Sequence, residues 1–347
     1  MVICFKISSE ANKALRDLLA TGGFKDQSEA LNAALVNYQI IHSQVSSGGA
    51  QSFSLSRRQK SCSSPAVADD QALSILDSFD SQVLPQSAIE PILAKPEGGD
   101  LTYPGRWLFG QMNRFLPVKV TCRGLATLLK NNPAGAEFEA ARESILEAAV
   151  EFGAFLAESD QRSGAKGDEK LSLCFPDKRK GNEKSKLRFS NQFIGSIDSQ
   201  GQMFGMPTSL CLMRPRKNGA RLHLALTEPG LHFALLNNPV IDQKSTASGK
   251  YSSEETEFLV DHIFRYVPEE AAAYKLLLAA IRQGSNTPDA LDGFLRSRRG
   301  SQPEISPAYL STQRSGVISR MVDIGLIQRK KDGTRVSYLL TKAAESL

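Results

Sequence analysis

Side chains that could carry out catalysis are few in this sequence, and none has the spacing that a reaction centre needs. The acidic pairs Glu254-Glu255 and Glu269-Glu270 open predicted helices, where they complement the helix dipole. No glycine-rich phosphate loop, no Gly-x-Ser-x-Gly motif, no Cys-x-x-Cys pair and no close histidine pair occurs. The scattered histidines and cysteines are His42, His223, His232, His262, Cys4, Cys62, Cys122, Cys174 and Cys211. We therefore predict a protein without enzymatic activity, metal or cofactor.

Basic and polar side chains near the C-terminal end suit binding better than catalysis. An amphipathic helical period up to Gly325 is followed by two short apolar runs, with a basic stretch between them that Asp332-Gly333 closes. The apolar positions of the helix are Val317, Ile318, Met321, Val322 and Ile324. This pattern predicts a helix followed by a basic β-hairpin.

This segment resembles the MarR-like winged-helix family in Gly325-Leu326-Ile327, in the basic residues 329–335 and in Leu340-Thr341. The resemblance implies that the helix enters the major groove of DNA, where small polar side chains and arginine can reach base edges. The implied base-contacting residues are Thr312, Gln313, Arg314, Ser315 and Ser319, with Arg320 on a phosphate. The implied wing contacts, to the backbone or the minor groove, are Arg329, Lys330, Lys331 and Arg335. The alternative is a solvated basic hairpin on a winged helix that binds protein.

A similar pattern occurs earlier in the chain. An apolar run at 210–213 and a second run ending in Leu226-Thr227 enclose basic residues and the hairpin dipeptide Asn218-Gly219. The basic residues are Arg214, Arg216, Lys217 and Arg221. We interpret this region either as a second winged-helix unit that contacts DNA through these residues, or as a small α+β domain with an ordinary basic hairpin. Residues 159–188 are predicted as a further hairpin with a long basic loop.

The N-terminal residues form one alternating strand, 2–7, followed by two predicted helices. This order resembles the ribbon-helix-helix family, in which two strands pair across a dimer and enter the major groove. The resemblance implies a homodimer in which Lys6 faces the bases beside Val2 and Cys4. The alternatives are a simple dimerisation arm and a strand docked on another sheet.

The composition divides the chain of 347 residues into several parts. We predict a mainly α fold with small β-hairpins, of the α+β class. Its parts are a ribbon-helix-helix module at 1–42, a flexible linker at 43–100, an α+β domain at 101–240 and a winged-helix domain at 252–347. No apolar run reaches the roughly 20 residues that a membrane-spanning helix needs, and the scattered cysteines suit reduced thiols, so we expect a cytoplasmic protein.

These features predict a dimeric, sequence-reading protein that binds double-stranded DNA. The net charge of +5 is compatible with that partner. A transcriptional regulator or a maintenance factor of a plasmid or mobile element fits best. The alternative is a non-enzymatic part of a larger nucleoprotein assembly, with winged helices that contact protein or RNA. An enzyme with its site in the middle region is a third hypothesis.

Overall fold

The structure is a computed structural model, and it describes residues 72–77, 89–92, 101, 104, 107–130, 132, 134–178, 183–219, 221–244, 249–298, 305–345 and 347. All of them belong to the compact unit Ser64–Leu347. The predicted ribbon-helix-helix module, including Lys6, lies outside the described residues. So does most of the predicted linker.

The described residues form a mixed α+β structure that is mainly helical with small sheets, which confirms the predicted fold class at that level. The helices α1 to α10 are Leu116–Leu129, Phe138–Ser163, Glu183–Phe189, Met206–Ser209, Glu228–Leu235, Ser253–Tyr266, Pro268–Arg282, Pro288–Ser297, Pro307–Asp323 and Lys342–Glu345. The strands β1 to β8 are Ile89–Glu90, Ala136–Glu137, Ser196–Ile197, Met203–Phe204, Met213–Asn218, Arg221–Thr227, Ile327–Asp332 and Arg335–Leu340.

Local sequence signals explain where several helices begin. Ser252 and Glu255 form a capping box at the start of α6, in which each side chain accepts from the backbone of the other residue. Thr287 caps α8 through its hydroxyl, and Pro288 occupies the first helical position. Ser306 caps α9 by accepting from the backbone of Tyr309.

Two predictions about irregular segments are corrected. Residues 159–188 form no hairpin among the residues described there, because α2 continues to Ser163 and α3 follows at Glu183. Within the predicted linker, Leu76 is buried in the core and β1 pairs in parallel with β6. Apolar burial and strand pairing hold these two short pieces, so they are parts of the fold and not a free tether.

The hairpin β5–β6 and the hairpin β7–β8 follow the same backbone path. Two positions after the helix that precedes each hairpin lies a residue with positive φ, Cys211 at 58° after α4 and Gly325 at 71° after α9, and these two residues are 114 positions apart. The next residue in each copy donates its backbone N–H to the carbonyl five residues earlier. A threonine lies at the end of each hairpin, Thr227 as the last residue of β6 and Thr341 directly after β8. Thr227 Oγ1 donates to the Cys211 carbonyl and Thr341 Oγ1 to the Gly325 carbonyl, both at 2.7 Å.

The sheet contacts repeat with the same spacing. Both hairpins have a two-residue turn, which begins at Gly219 with φ 60° and at Gly333 with φ 58°. In the first copy β2 adds a third strand by pairing with β6. At the equivalent place in the second copy, Tyr338 donates its backbone N–H to the Asn286 carbonyl at 2.8 Å. The two hairpins are therefore an internal structural repeat.

A buried ion pair joins α1 to α6. Lys119 Nζ lies 2.8 Å from Glu255 Oε1, and both side chains are fully buried. The ammonium group also donates to the carbonyls of Phe233 and Leu236 at 2.5 Å and 2.6 Å. Burial lowers the pKa of Lys119 from 10.5 to about 8, although Glu255 favours the charged form.

This lowered pKa makes the stability depend on pH in alkaline solution. Between about pH 8 and 10.5 the unfolded chain holds a proton on Lys119 that the folded chain has released. The free energy of unfolding of the wild type, relative to Lys119→Met, is therefore expected to rise by up to about 3 kcal/mol over that window, at about 1.4 kcal/mol per pKa unit. Urea unfolding of both proteins across that range measures the difference.

Lys275→Met removes an exposed lysine from α7 and serves as the control. Its difference from the wild type is expected to stay constant over the same range of pH. A constant difference for Lys119→Met as well would show that Lys119 keeps its ordinary pKa.

Candidate nucleic-acid interface

The two hairpins present a basic surface to solvent. Lys217, Arg221, Lys330 and Arg335 are exposed, and none has an acidic partner among the described residues. The predicted basic loops are shorter than expected: most of the cations lie within the strands, and only a two-residue turn separates them. Successive side chains on a strand point to opposite faces, so the cations of each hairpin are spread over both of its faces.

Cations occupy three equivalent positions in the two hairpins. With the spacing of 114 residues that relates the copies, Arg216 matches Lys330, Lys217 matches Lys331 and Arg221 matches Arg335. Lys217 and Lys331 occupy the same position relative to their turns, and so do Arg221 and Arg335. Charge is therefore repeated at the tip of both hairpins.

Several of the predicted hairpin contacts already have partners. Arg216 Nη2 lies 2.5 Å from Glu90 Oε1, and Arg214 donates to the Pro91 carbonyl at 3.3 Å. Arg329 Nη1 lies 2.5 Å from Asp168 Oδ2, and Lys331 Nζ lies 3.4 Å from the same oxygen. Partly exposed pairs of this kind contribute little to stability, so they can exchange with another anion.

The helix α9 differs from its sequence-predicted role, because much of its polar side is buried. Gln313 is fully buried: its Oε1 accepts from the Gly110 backbone N–H at 2.5 Å and its Nε2 donates to the Pro104 carbonyl. Arg314 lies against Asp292, with Nε 2.6 Å from Oδ1. The prediction that Gln313 and Arg314 read bases is therefore wrong for this fold.

Arg320 and Ser319 are also withdrawn from solvent. Arg320 forms two hydrogen bonds to the Glu270 carboxylate, at 2.5 Å and 2.9 Å, and both side chains are fully buried. It also donates to the Met112 carbonyl. Ser319 is only 5% exposed. Arg320 thus holds the core together instead of contacting a phosphate, and Ser319 has almost no surface to offer a base.

Thr312 and Ser315 keep solvent access on α9. Ser315 is exposed and Thr312 is half-buried, with its hydroxyl donating to the Ala308 carbonyl at 2.9 Å. They lie on one stripe of the helix with Ser311. Small uncharged side chains can approach a groove closely, but they offer few hydrogen bonds to base edges.

A cleft of about 620 Å³ opens beside β7, on the side of the turn Gly167–Glu169. Its cationic lining residues are Arg114, Lys166, Lys250, Arg329 and Lys331, and its acidic ones are Asp160, Asp168 and Glu169. The sequence pattern pointed only to the two hairpin residues in this set. The other three cations are distant in sequence, and only the fold brings them to β7.

Two of the described cysteines have raised pKa values, and the described residues contain no group of metal ligands. Burial raises the pKa of the Cys122 thiol to about 12 and that of Cys174 to about 11, so both stay protonated near neutral pH. No group of His, Cys, Asp or Glu residues in this part of the chain is arranged to hold a metal ion. Among the described helices, none combines the length and apolar character needed to cross a membrane.

Comparison of the chain with protein families, with curated proteins and with solved structures gives no match. The geometry of the two hairpins and their surroundings is therefore the basis for inferring a function.

Proposed function

We propose that this chain binds double-stranded DNA and that the two basic hairpins lie against the sugar-phosphate backbone as the wings of two winged-helix units. The order α7, Asn286, α8, α9 and β7–β8 supports the second unit, since a winged helix has three helices and a hairpin with a short third strand. The first unit is supported by the helices α1, α2 and α4, the strand β2 between α1 and α2, and the hairpin β5–β6 directly after α4. The repeated backbone path supports treating the two alike.

The observation that carries the proposal is the repeated charge at the hairpin tips. Lys217 and Lys331 share one register position, and Arg221 and Arg335 share another. DNA carries one negative charge per about 1.7 Å of helix axis, and its phosphates are the main source of affinity for a basic surface. Two protruding hairpins with equivalent cations are suited to contact such a backbone at two places.

Such an interface recognises DNA mainly through its backbone. With Gln313, Arg314 and Arg320 committed to the core, Thr312 and Ser315 are the predicted base-contacting residues of α9 that keep solvent access. We therefore propose modest sequence preference within the described part of the chain. The homodimer through residues 1–42 stays a prediction, as does the biological role in transcription regulation or in maintenance of a plasmid or mobile element.

Removal of the four exposed hairpin cations tests the proposal. The variant Lys217→Ala, Arg221→Ala, Lys330→Ala, Arg335→Ala is expected to bind random duplex DNA at least about tenfold more weakly at low salt, by a similar factor for every sequence. Each cation that meets a phosphate releases counterions, so the slope of log K against log salt is expected to become shallower by about 0.9 for each phosphate that the variant no longer neutralises. Fluorescence anisotropy at several salt concentrations measures both quantities.

A matched variant removes charge elsewhere. Arg265→Ala, Lys275→Ala, Arg296→Ala, Arg298→Ala deletes four exposed cations from α6, from α7 and from the end of α8. It is expected to keep a steeper salt slope than the hairpin variant. If the two variants bind DNA equally weakly, the loss of affinity comes from the lower net charge and not from the hairpins. Undetectable binding by the wild type at low salt would refute DNA binding.

A second candidate function is a role in a nucleoprotein assembly through protein contacts. Several large apolar side chains are exposed in the described residues, among them Leu173 at 69%, Leu187 at 58% and Phe204 at 50%. Exposed apolar groups mark an interaction surface when they form one contiguous patch, and this candidate function requires that of these side chains. The salt series separates the two candidates, because binding through these side chains depends little on salt.

A further inference from the structure

Asp168 places a carboxylate against two cations of the proposed DNA-binding hairpin. Its Oδ2 lies 2.5 Å from Arg329 Nη1 and 3.4 Å from Lys331 Nζ. Both contacts converge on one oxygen atom of a half-exposed side chain at the edge of the cleft beside β7. The carboxylate therefore stands where an incoming anion would meet these two side chains.

The cleft has more donors than this carboxylate uses. Arg329 Nε is buried and has no hydrogen-bond partner among the described residues, and Arg329 Nη2 reaches only the Ser319 hydroxyl at 3.5 Å. Lys166 and Lys250 line the same cleft, and the ammonium group of Lys250 lies 3.3 Å from Asp323 Oδ1. A phosphodiester presents two unbridged oxygens with a shared charge, and arginine forms its strongest hydrogen bonds with such groups.

The contact to Asp168 is well placed to be exchanged. Partial burial acts to raise the pKa of this carboxyl, but the charges of Arg329 and Lys331 lower it below its usual 3.8. Asp168 is therefore ionised near neutral pH. Its side chain is 54% exposed, so water already competes for the carboxylate and the pair is weak.

We propose that Asp168 holds the place of a DNA phosphate in the free protein and that a phosphodiester displaces it from Arg329 and Lys331 on binding. This inference rests on the proposed DNA binding. It adds that the contact of Asp168 with Arg329 and Lys331 regulates that binding. DNA binding then exchanges one anion for another at this point. The protein releases fewer counterions than its number of cations would indicate, because two of them are already neutralised in part.

The variant Asp168→Asn tests the exchange. The amide keeps the shape of the side chain and removes the charge, so Arg329 and Lys331 are free to meet a phosphate. The variant is expected to bind random duplex DNA about three- to tenfold more tightly at about 50 mM salt, with a salt slope steeper by about 0.9. Affinity measured from about 50 to 200 mM salt gives both numbers.

Glu169→Gln is the matched control. Glu169 lies in the same turn, and the contact that its carboxylate makes is with the Lys166 backbone N–H at 3.2 Å, not with the hairpin. This variant has the same net charge as Asp168→Asn, and its affinity is expected to stay within about twofold of the wild type. Thermal unfolding of all variants shows whether they share one fold.

The outcomes separate the inference from the proposed function. If the wild type, Asp168→Asn and Glu169→Gln bind DNA equally, the inference is wrong and DNA binding stands. Equal tightening by both variants would also overturn it, because the effect would then come from net charge. If none of the three binds at low salt, the proposed function fails and the inference fails with it.

A second measurement isolates the two cations. In a background of Arg329→Ala and Lys331→Ala, the further change Asp168→Asn is expected to leave the affinity unchanged, since the exchange partners are gone. A gain of about threefold or more in that background would contradict the proposal.

Discussion

Arg320→Ala is expected to lower the free energy of unfolding by about 3–5 kcal/mol, the range for breaking a buried ion pair by removing one partner. The reason is that Glu270 would keep a charge inside the core without a counter-charge. The Met112 carbonyl would lose its donor at the same time. Urea or thermal unfolding measures the change.

Two further variants sharpen this test. Arg335→Ala removes an exposed arginine from β8 and is expected to change stability by less than about 0.5 kcal/mol. Arg320→Met together with Glu270→Leu removes both charges and is expected to recover most of the stability, because apolar residues of similar volume replace a buried pair well. If Arg320→Ala were as stable as the wild type and bound DNA more weakly, the result would support the phosphate contact that the sequence predicted for Arg320.

Gly316→Ala is expected to cost about 3 kcal/mol, through overpacking against the backbone. A Cβ at Gly316 would collide with the Gly110 carbonyl oxygen, a backbone atom that cannot yield as a flexible side chain could. The close approach is mutual, since a Cβ at Gly110 would collide with the Thr312 carbonyl oxygen. Chemical unfolding gives the magnitude.

Gly293→Ala is the matched control, because Gly293 also lies inside a helix and nothing lies within 4 Å of its added Cβ. Alanine favours the helix over glycine, so this variant is expected to be more stable by about 0.5–1 kcal/mol. Opposite signs for the two substitutions would support the close backbone contact. A stabilised Gly316→Ala would show that α9 and the segment 107–115 do not touch.

The hairpins could be predicted from sequence because their determinants are local. The dipeptides Asn218-Gly219 and Asp332-Gly333 set the turns, and the alternating apolar residues set the strands. The caps of α6 and α8, Ser252 and Thr287, are local signals of the same kind. Short-range chemistry is sufficient for elements of this kind.

The burial of the polar side of α9 could not be predicted in the same way, because the residues that contact it are distant in sequence. The apolar period identified one broad inward face and left Gln313, Arg314 and Arg320 outside it. In the fold those three side chains are held by Gly110, Asp292 and Glu270. No local pattern indicates which of many acidic or backbone groups will contact a given arginine. The sequence alone therefore did not show that these polar side chains are buried.

The same contacts constrain how the protein is made. The hydrogen bond from Gly110 to Gln313 spans 203 residues, and the bond from Phe115 to Asp323 spans 208. At about 5–20 residues per second, a ribosome needs roughly 10–40 s to synthesise the intervening chain. The segment 107–115 cannot make these contacts before α9 has been synthesised, so its partners arrive roughly 10–40 s after it.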